Sequence, residues 1–576
     1  MRDPARHVVS PAVPRAVVER AAGARSTSTW ELLAALGAAL IATTVCFYHL
    51  GSYGLWEPDE ARYAEIAREM LVLRDFITPH LDYVPYIEKP PMLYWLTAFS
   101  MRVGGVNELA ARLPNATAAM VGIGAVYLFT RRVFDSRQGI LAAAILATSA
   151  LYGLMAQVLT TDMLLTACLA VALFAFYLQW AEGGAWWWLM YLAIAFGVLV
   201  KGPIAIAIPA LAGGIFLLTA GGWRGARRRF HLAAGLGLVV LTVAPWFIAI
   251  TVRQPDFLAF YLVGEHLHRF FEASYSHGQP IWYYVPVILG GLLPWSLLVP
   301  FIRWRSLTPS PARRLCLITA ATIFVLFSLA SAKLIPYMLP AMPFIAVLLA
   351  SGLDDFIANR DCRPLAVVGP LLGIAAVGVW CVAAFAERFK SPNPMLVRPA
   401  LQAAVIVLSV AGVLCFATFG QRRAFTGVAS LAVMSTALLV VASYGRLMAE
   451  PARSYARLGR LIAQRAPTAP LVCYPRYIES LPFYTDRRVT LVGAPTELAY
   501  GAAHASDGSQ FFFTHRADLL RLWNAPVPPL LIVDRSALPP LAQSLGPFAI
   551  VAEDQRKIAI MRAGSRSRSD GTESGE

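Results

Sequence analysis

The chain has 576 residues, of which 57% are hydrophobic and 14% charged, and a mean hydropathy of +0.58; soluble proteins carry roughly 25% charged residues. This balance excludes an ordinary soluble globular protein and points to a multi-spanning membrane protein. The formal net charge of +15 would suggest nucleic acid in a soluble chain, but here the basic residues sort by loop, so the charge is a topology signal and no nucleic-acid partner is expected.

A spanning helix needs about 20 mostly apolar residues. Thirteen such stretches lie near 30–50, 107–130, 138–154, 160–180, 186–200, 203–220, 232–252, 281–302, 315–331, 335–353, 365–386, 399–419 and 425–444. The Arg-rich leader, 1–28, is polar and expected to be disordered, as is the Ser-rich tail, 564–576. The first apolar stretch is too long for a cleaved signal and reads as an uncleaved helix. With the N-terminus inside, Arg131, Arg132, Arg137, the 224–229 arginines, Arg303, Arg305, Arg313, Arg314, Arg360, Arg363, Arg422 and Arg423 fall in inside loops. Only Lys201, Lys333, Arg388, Lys390 and Arg398 fall in short outside connections. An odd number of spans then places the C-terminal part outside.

The first outer segment, 51–106, carries no convincing span and is expected to hold two helices lying along the membrane surface. One starts at Glu57-Pro-Asp-Glu, with Pro58 suited to the first helical position and Asp59 and Glu60 to the positive end of the helix dipole. At 100° per residue, Asp59 shares a face with Tyr63, Ile66, Met70 and Leu73, while Arg62, Glu65, Arg68 and Glu69 take the opposite arc. Asp59 is thus either a helix cap or a functional carboxylate, and its apolar face favours the second. Further on, Pro90 and Pro91 hold Glu88 and Lys89 in an extended segment before a second helix. Those two charges read equally as a solvated turn.

Ionisable residues then recur at the outer helix ends: Asp162 in Thr160-Thr-Asp, Lys201 in Lys-Gly-Pro203, and Lys333 with Tyr337 in Lys-Leu-Ile-Pro-Tyr337. Each alone is an interfacial anchor; together on one side they suggest a shared polar cavity. The outer segment 253–280 holds Glu265, His266, His268 and Arg269. Glu265 and Arg269 are four apart and fit an intrahelical ion pair. His266 is either a hydrogen-bonded polar residue or, with Glu88, a ligand to a divalent cation such as Zn²⁺. The seven cysteines are scattered, without disulfide or metal spacing. No P-loop, G-x-G-x-x-G, H-E-x-x-H or G-x-S-x-G signature is present. From about 449 to 563 short strands at Leu471–Tyr474, Leu530–Asp534 and Ile558–Met561, with a helix at Arg453–Arg465, predict a small outer α/β domain covering the cavity. Tyr484, Asp486 and Arg487 are its weak candidates for substrate contact.

The ordered set Glu57-Pro-Asp-Glu-Ala-Arg-Tyr, Glu88-Lys-Pro-Pro with Tyr94-Trp95, Thr161-Asp162, Lys201-Gly-Pro, Glu265-His266 with Arg269-Phe270, and Lys333-Leu-Ile-Pro-Tyr337 resembles the 4-amino-4-deoxy-L-arabinose transferase family of polyprenyl-phosphate-dependent glycosyltransferases. More loosely it resembles the protein O-mannosyltransferases. The resemblance covers residues 30–350 and implies an all-α polytopic fold of glycosyltransferase C type, about thirteen spans across 29–448, in a bacterial inner membrane with a periplasmic active site. It implies a polyprenyl-phosphate sugar, such as aminoarabinose, as donor and lipid A phosphate as acceptor, among membrane lipids. Asp59, Glu60 and Asp162 become candidate catalytic residues. Lys89, Lys201, Lys333, Arg269 and Tyr337 become candidates for the donor phosphate, a role suited to cationic clamps. Glu88 and His266 match residues associated with a bound metal ion. The basic leader and His268 depart from the pattern, and the C-terminal domain is not matched residue by residue. The alternatives are a protein O-mannosyltransferase and a lipid or polysaccharide transporter. No internal repeat of the kind many transporters show is evident, and the charges gather at one face.

Overall fold

The thirteen apolar stretches are helical in the computed structural model, which describes residues 28–220, 223–261, 279–302, 310–384, 394–421 and 423–563. Among these residues nine helices are long and apolar enough to cross a membrane. Residues 281–302 form a bent pair, Ile281–Gly291 and Trp295–Phe301, turning through 104°. Trp186–Lys201 and Ile204–Ala220 are apolar but shorter, and 138–154 breaks at Ser149 into Ser136–Thr148 and Ala150–Met155. A count of thirteen spans therefore requires the bent, split and short helices to cross as well. The leader and tail, apart from Ser28, lie outside the described residues.

The chain divides into two units. The first takes the described residues up to Tyr48 and most of those from Asn115 to Ala442. Its centre is Thr161–Ala181, whose apolar window is 89% buried, followed by Ile335–Ala358 at 72%, whereas Thr29–Phe47 and Arg398–Gly420 are only 22% buried. A helix apolar all round belongs at the centre of a bundle. Thr161–Ala181 packs on Trp186–Lys201, Ile204–Ala220 and the 3₁₀ turn Ile335–Ala341, so the ends bearing Asp162, Lys201 and Tyr337 meet. Gly202, with φ +76°, ends Trp186–Lys201 in a conformation that side chains with a Cβ adopt rarely, and Pro203 follows it. That turn fixes Lys201 at the end of its helix.

The second unit joins the first outer segment, 49–114, to the described residues from 443 onward. Its sheet is built from β3 (Leu471–Tyr474), β4 (Val489–Val492), β5 (Phe512–Phe513), β6 (Leu530–Asp534), β7 (Phe548–Glu553) and β8 (Lys557–Arg562), after a small hairpin of β1 (His80–Leu81) and β2 (Val84–Pro85). The order is β5-β4-β3-β6-β8-β7, parallel from β5 to β6 and antiparallel beyond. One face packs Leu458 and Ile462 against Leu471, Cys473 and Ile532; the other packs Leu519, Trp523 and Leu541 against Val472, Leu531 and Val533. Burial on both faces explains the uninterrupted apolar runs in β3 and β6. The predicted helix begins at Ala456, since Arg453 ends the long helix before it.

The helix Asp59–Leu73 corrects the expectation of a surface amphipathic helix. Glu60 through Met70 are all buried, Glu65 and Glu69 completely. The helices Met92–Gly104 and Ser480–Thr485 pack on it, and two of its buried charges pair with each other: Arg68 donates to both Glu65 oxygens, at 2.8 and 2.7 Å, and also pairs with Asp486. The helix is a core element of the second unit.

The β1–β2 turn shows what that burial does to a carboxylate. Asp82 and Tyr83, at φ +55° and +63°, form the two-residue loop. Asp82 Oδ1 accepts from Val489 N–H at 2.9 Å while Oδ2 is buried without a hydrogen-bond donor among the described residues. Burial pushes Asp82 up to about 7; the Val489 N–H and Arg488 oppose this, and the Glu65 and Asp507 carboxylates add to it. The folded state then holds a proton that the unfolded chain, near 3.8, has already lost, so Asp82's contribution to stability falls as pH rises from about 4 to 7. In Asp82→Asn the gain in thermal midpoint over the parent should grow from pH 5 to pH 8 by several degrees, about 1–3 kcal/mol. A difference that does not change with pH would contradict this.

Candidate active site

Asp59 stands at the open end of its helix, its side chain 57% exposed, with Arg62 Nη1 3.4 Å away. Pro58 is the residue before the helix, one position earlier than expected, and no side chain caps this end. Asp59 therefore does not cap its helix. Its carboxylate is exposed rather than on the buried face that the periodicity predicts, with Arg62 as a partner at 3.4 Å.

Glu60, expected to be catalytic, is corrected by its surroundings. It is 2% exposed and gives both oxygens to Arg112, at 2.9 Å each, while Oε2 also accepts from Trp56 N–H. Arg112 is fully buried, also donates to the carbonyls of Leu50, Tyr53 and Gly54, and stacks 3.8 Å over the Tyr53 ring. This clamp ties the segment from Leu50 to Gly54 to the start of the Asp59 helix and engages both oxygens of Glu60.

Glu88 is buried and accepts from Tyr86 Oη at 2.8 Å, and Lys89 Nζ lies 3.4 Å from the Glu88 carbonyl. His266 and Arg269 lie outside the described residues. Among the described residues no three His, Cys, Asp or Glu side chains converge as a metal site.

In the first unit the sequence-predicted residues come together. Lys201 Nζ donates to Asp162 Oδ1 at 2.5 Å and sits 4.8 Å from the centre of the Tyr337 ring. Both members of the ion pair remain partly exposed, at 18% and 12%. The bond from Lys201 to Asp162 holds the ammonium at the end of its helix. Lys333 is 7% exposed and donates to the Ala330 carbonyl at 2.7 Å, which ties its charge to the turn it begins.

Residues that sequence reasoning missed surround Asp59 in the second unit. Arg62, 5% exposed, pairs with Glu497 and lies 3.7 Å from Glu479. Burial pushes Glu497 up to about 7 against the pull of Arg62, and burial together with Glu57 raises Glu479. No local pattern marks these two glutamates, since they meet Arg62 only across the fold. Arg112 did carry a signal, as a charge inside an apolar stretch. Of the weak candidates beyond 480, Tyr484 accepts from Leu55 N–H and donates to Glu108, Asp486 pairs with Arg68, and Arg487 donates to the carbonyls of Ala466 and Ala469.

Comparison with known proteins agrees with this layout. The family model described as dolichyl-phosphate-mannose-protein mannosyltransferase matches residues 88–248, and that described as aminoarabinose transferase C-terminal domain matches 458–562. Undecaprenyl phosphate-alpha-4-amino-4-deoxy-L-arabinose arabinosyl transferase of Yersinia pestis is 31% identical over 365 residues, 60% of this chain and 65% of that protein. The protein of the same name in Erwinia tasmaniensis is 32% identical over 308 residues, 51% of this chain and 55% of that one. The match thus spans just under two thirds of the first relative's length. The crystal structure of ArnT from Cupriavidus metallidurans bound to undecaprenyl phosphate superposes with a TM-score of 0.80 at 27% identity, over 94% of this chain and 99% of that one. In its apo state the same protein gives 0.79 at 26%. From membrane bundle to C-terminal sheet, the chain shares the C-type fold of ArnT and is similar in sequence to the aminoarabinose transferase (ArnT)-like membrane glycosyltransferases.

Proposed function

We propose that this protein transfers a sugar, 4-amino-4-deoxy-L-arabinose, from undecaprenyl phosphate to a phosphate of lipid A at the outer face of a bacterial inner membrane. In the reaction the bond from the anomeric carbon to the lipid-phosphate oxygen breaks, a bond to the acceptor oxygen forms, and the polyprenyl phosphate leaves. The observation that carries the reading is the agreement along nearly the whole chain, at TM-score 0.80, with ArnT bound to undecaprenyl phosphate. In this reading Lys201, held by Asp162 and flanked by Tyr337, and Lys89 neutralise the departing phosphate. The Asp59 carboxylate engages the donor sugar or the acceptor. Arg269 and Lys333 are assigned to the same phosphate in supporting roles.

Purified protein given polyprenyl-phosphate aminoarabinose and lipid A should yield sugar-modified lipid A by mass spectrometry. A transporter would leave the donor's glycosidic bond intact, and a protein O-mannosyltransferase would place label on protein instead. Movement of intact donor without bond cleavage would overturn the proposal.

Orientation and metal belong to the same reading. With the N-terminus cytoplasmic, a thiol-reactive tag near residue 500 should be labelled from outside intact inner membranes and one at Arg227 should not; labelling of both from one side would reverse the map. A divalent metal ion is assigned to Glu88 and His266 as ligands. Glu88→Gln combined with His266→Ala should then lower the metal content of the purified protein. Equal metal content in variant and parent would remove both residues as ligands.

A further inference from the structure

The chain around Asp59 is gripped on both sides by the C-terminal domain. On the N-terminal side, Leu55 N–H donates to Tyr484 Oη at 2.8 Å. Glu57 Oε1 accepts from Ser480 N–H at 2.9 Å and from the Ser480 hydroxyl, and Oε2 from Glu479 N–H at 3.3 Å. The Glu57 N–H is itself bonded to the Arg453 carbonyl at 2.9 Å. On the C-terminal side, Arg62 reaches Glu479 and Glu497. Between these anchors the Asp59 side chain stays open, 57% exposed. A backbone fixed at positions 55, 57 and 62 leaves the intervening carboxylate little freedom to drift.

The sheet topology shows why Glu57 goes where it does. Strand order reverses at β3, which has β4 on one side and β6 on the other. In open α/β sheets the crevice beyond the carboxyl ends of the strands at such a point is where ligands bind. Residues 479 and 480 follow the carboxyl end of β3, and here their donors are taken by a carboxylate of the chain's own first outer segment.

We propose that the C-terminal domain serves the transfer reaction as a positioning device, with Glu57 as the positioning residue that sets the Asp59 carboxylate through its bonds to Ser480 and Glu479. This rests on the assignment of Asp59 to the reaction. A displacement of about 1 Å in a reacting group costs about 10²-fold in rate. A Gln side-chain oxygen can still accept from the Ser480 N–H and hydroxyl, and only the longer bond from the Glu479 N–H, 3.3 Å to Oε2, is lost.

The test compares five variants of the protein in detergent with the lipid-phosphate sugar as donor. Glu57→Ala is expected to lower kcat by about 30–100-fold with KM for the donor within twofold, whereas Glu57→Gln stays within about threefold of the parent. Glu57→Ala combined with Asp59→Asn should be no slower than Asp59→Asn alone, because Glu57 acts through Asp59. Tyr484→Phe removes only a hydroxyl and should give the same split, kcat down severalfold and KM unchanged, so the question stays answerable if Glu57→Ala fails to fold. The proposal is overturned if Glu57→Ala keeps parental kcat, if the loss falls in KM, or if the double variant is slower than Asp59→Asn by the full Glu57→Ala factor. Parental activity in Asp59→Asn itself would instead overturn the role given to Asp59.

Discussion

Asp59→Asn is expected to abolish most transfer, lowering the rate by about 10²–10⁴-fold if the acceptor is a hydroxyl that needs a general base. The substitution keeps the side chain's shape and removes its charge. Structural damage should be slight, because Asp59 is exposed and its partner Arg62 keeps Glu497 and Glu479. Where the acceptor is a lipid A phosphate it is already an anion and needs orientation more than deprotonation. Asp59 then holds a polar or cationic group of the donor sugar, and the variant should bind donor more weakly as well as transfer more slowly. Measuring donor affinity beside kcat separates the two acceptors. A folded Asp59→Asn protein that binds donor and retains most of its activity would move the search for the reacting carboxylate to Asp162.

Arg112→Leu should be the most damaging single substitution for stability. The side chain is fully buried, pairs with both oxygens of Glu60 and serves three backbone carbonyls. Its removal leaves Glu60 as a buried carboxylate without a counter-charge, which costs about 3–5 kcal/mol, and leaves the Leu50, Tyr53 and Gly54 carbonyls without donors, about 1 kcal/mol or more each. Adding Glu60→Gln should recover part of the loss by removing the uncompensated charge, but not the part due to the carbonyls. Thermal unfolding of the purified protein measures both. A midpoint within a degree of the parent for Arg112→Leu would mean that the clamp holds little.

That the chain is built of long apolar helices was legible because a bilayer demands runs of about 20 apolar residues, and a run is a local property of the chain. The turn Lys201-Gly202-Pro203 was legible for the same reason: glycine and proline act on their own backbone. Asp162, Lys201 and Tyr337 could be placed at helix ends, and the bundle then brought them within one cluster. The Asp59 helix was legible as a helix and misread as to face. Arg68, Glu65 and Glu69 look solvated by periodicity, yet they are buried because elements some four hundred residues away supply Asp486 and the Ser480–Thr485 helix.

Composition, run length and helix-stop chemistry thus determined by themselves that the chain is a multi-pass helical protein with a small α/β domain, and which carboxylates deserved suspicion. Tertiary structure alone decided which of those carboxylates are available. Asp59 and Glu60 are adjacent acids at one helix start, alike in sequence; burial against Arg112 consumes the second and leaves the first exposed. The distinction arises from partners at a sequence separation of 52 residues for Glu60 and of more than four hundred for the Glu57–Ser480 grip. Pairing at such range is set by how the second unit folds on itself, and no local propensity encodes it.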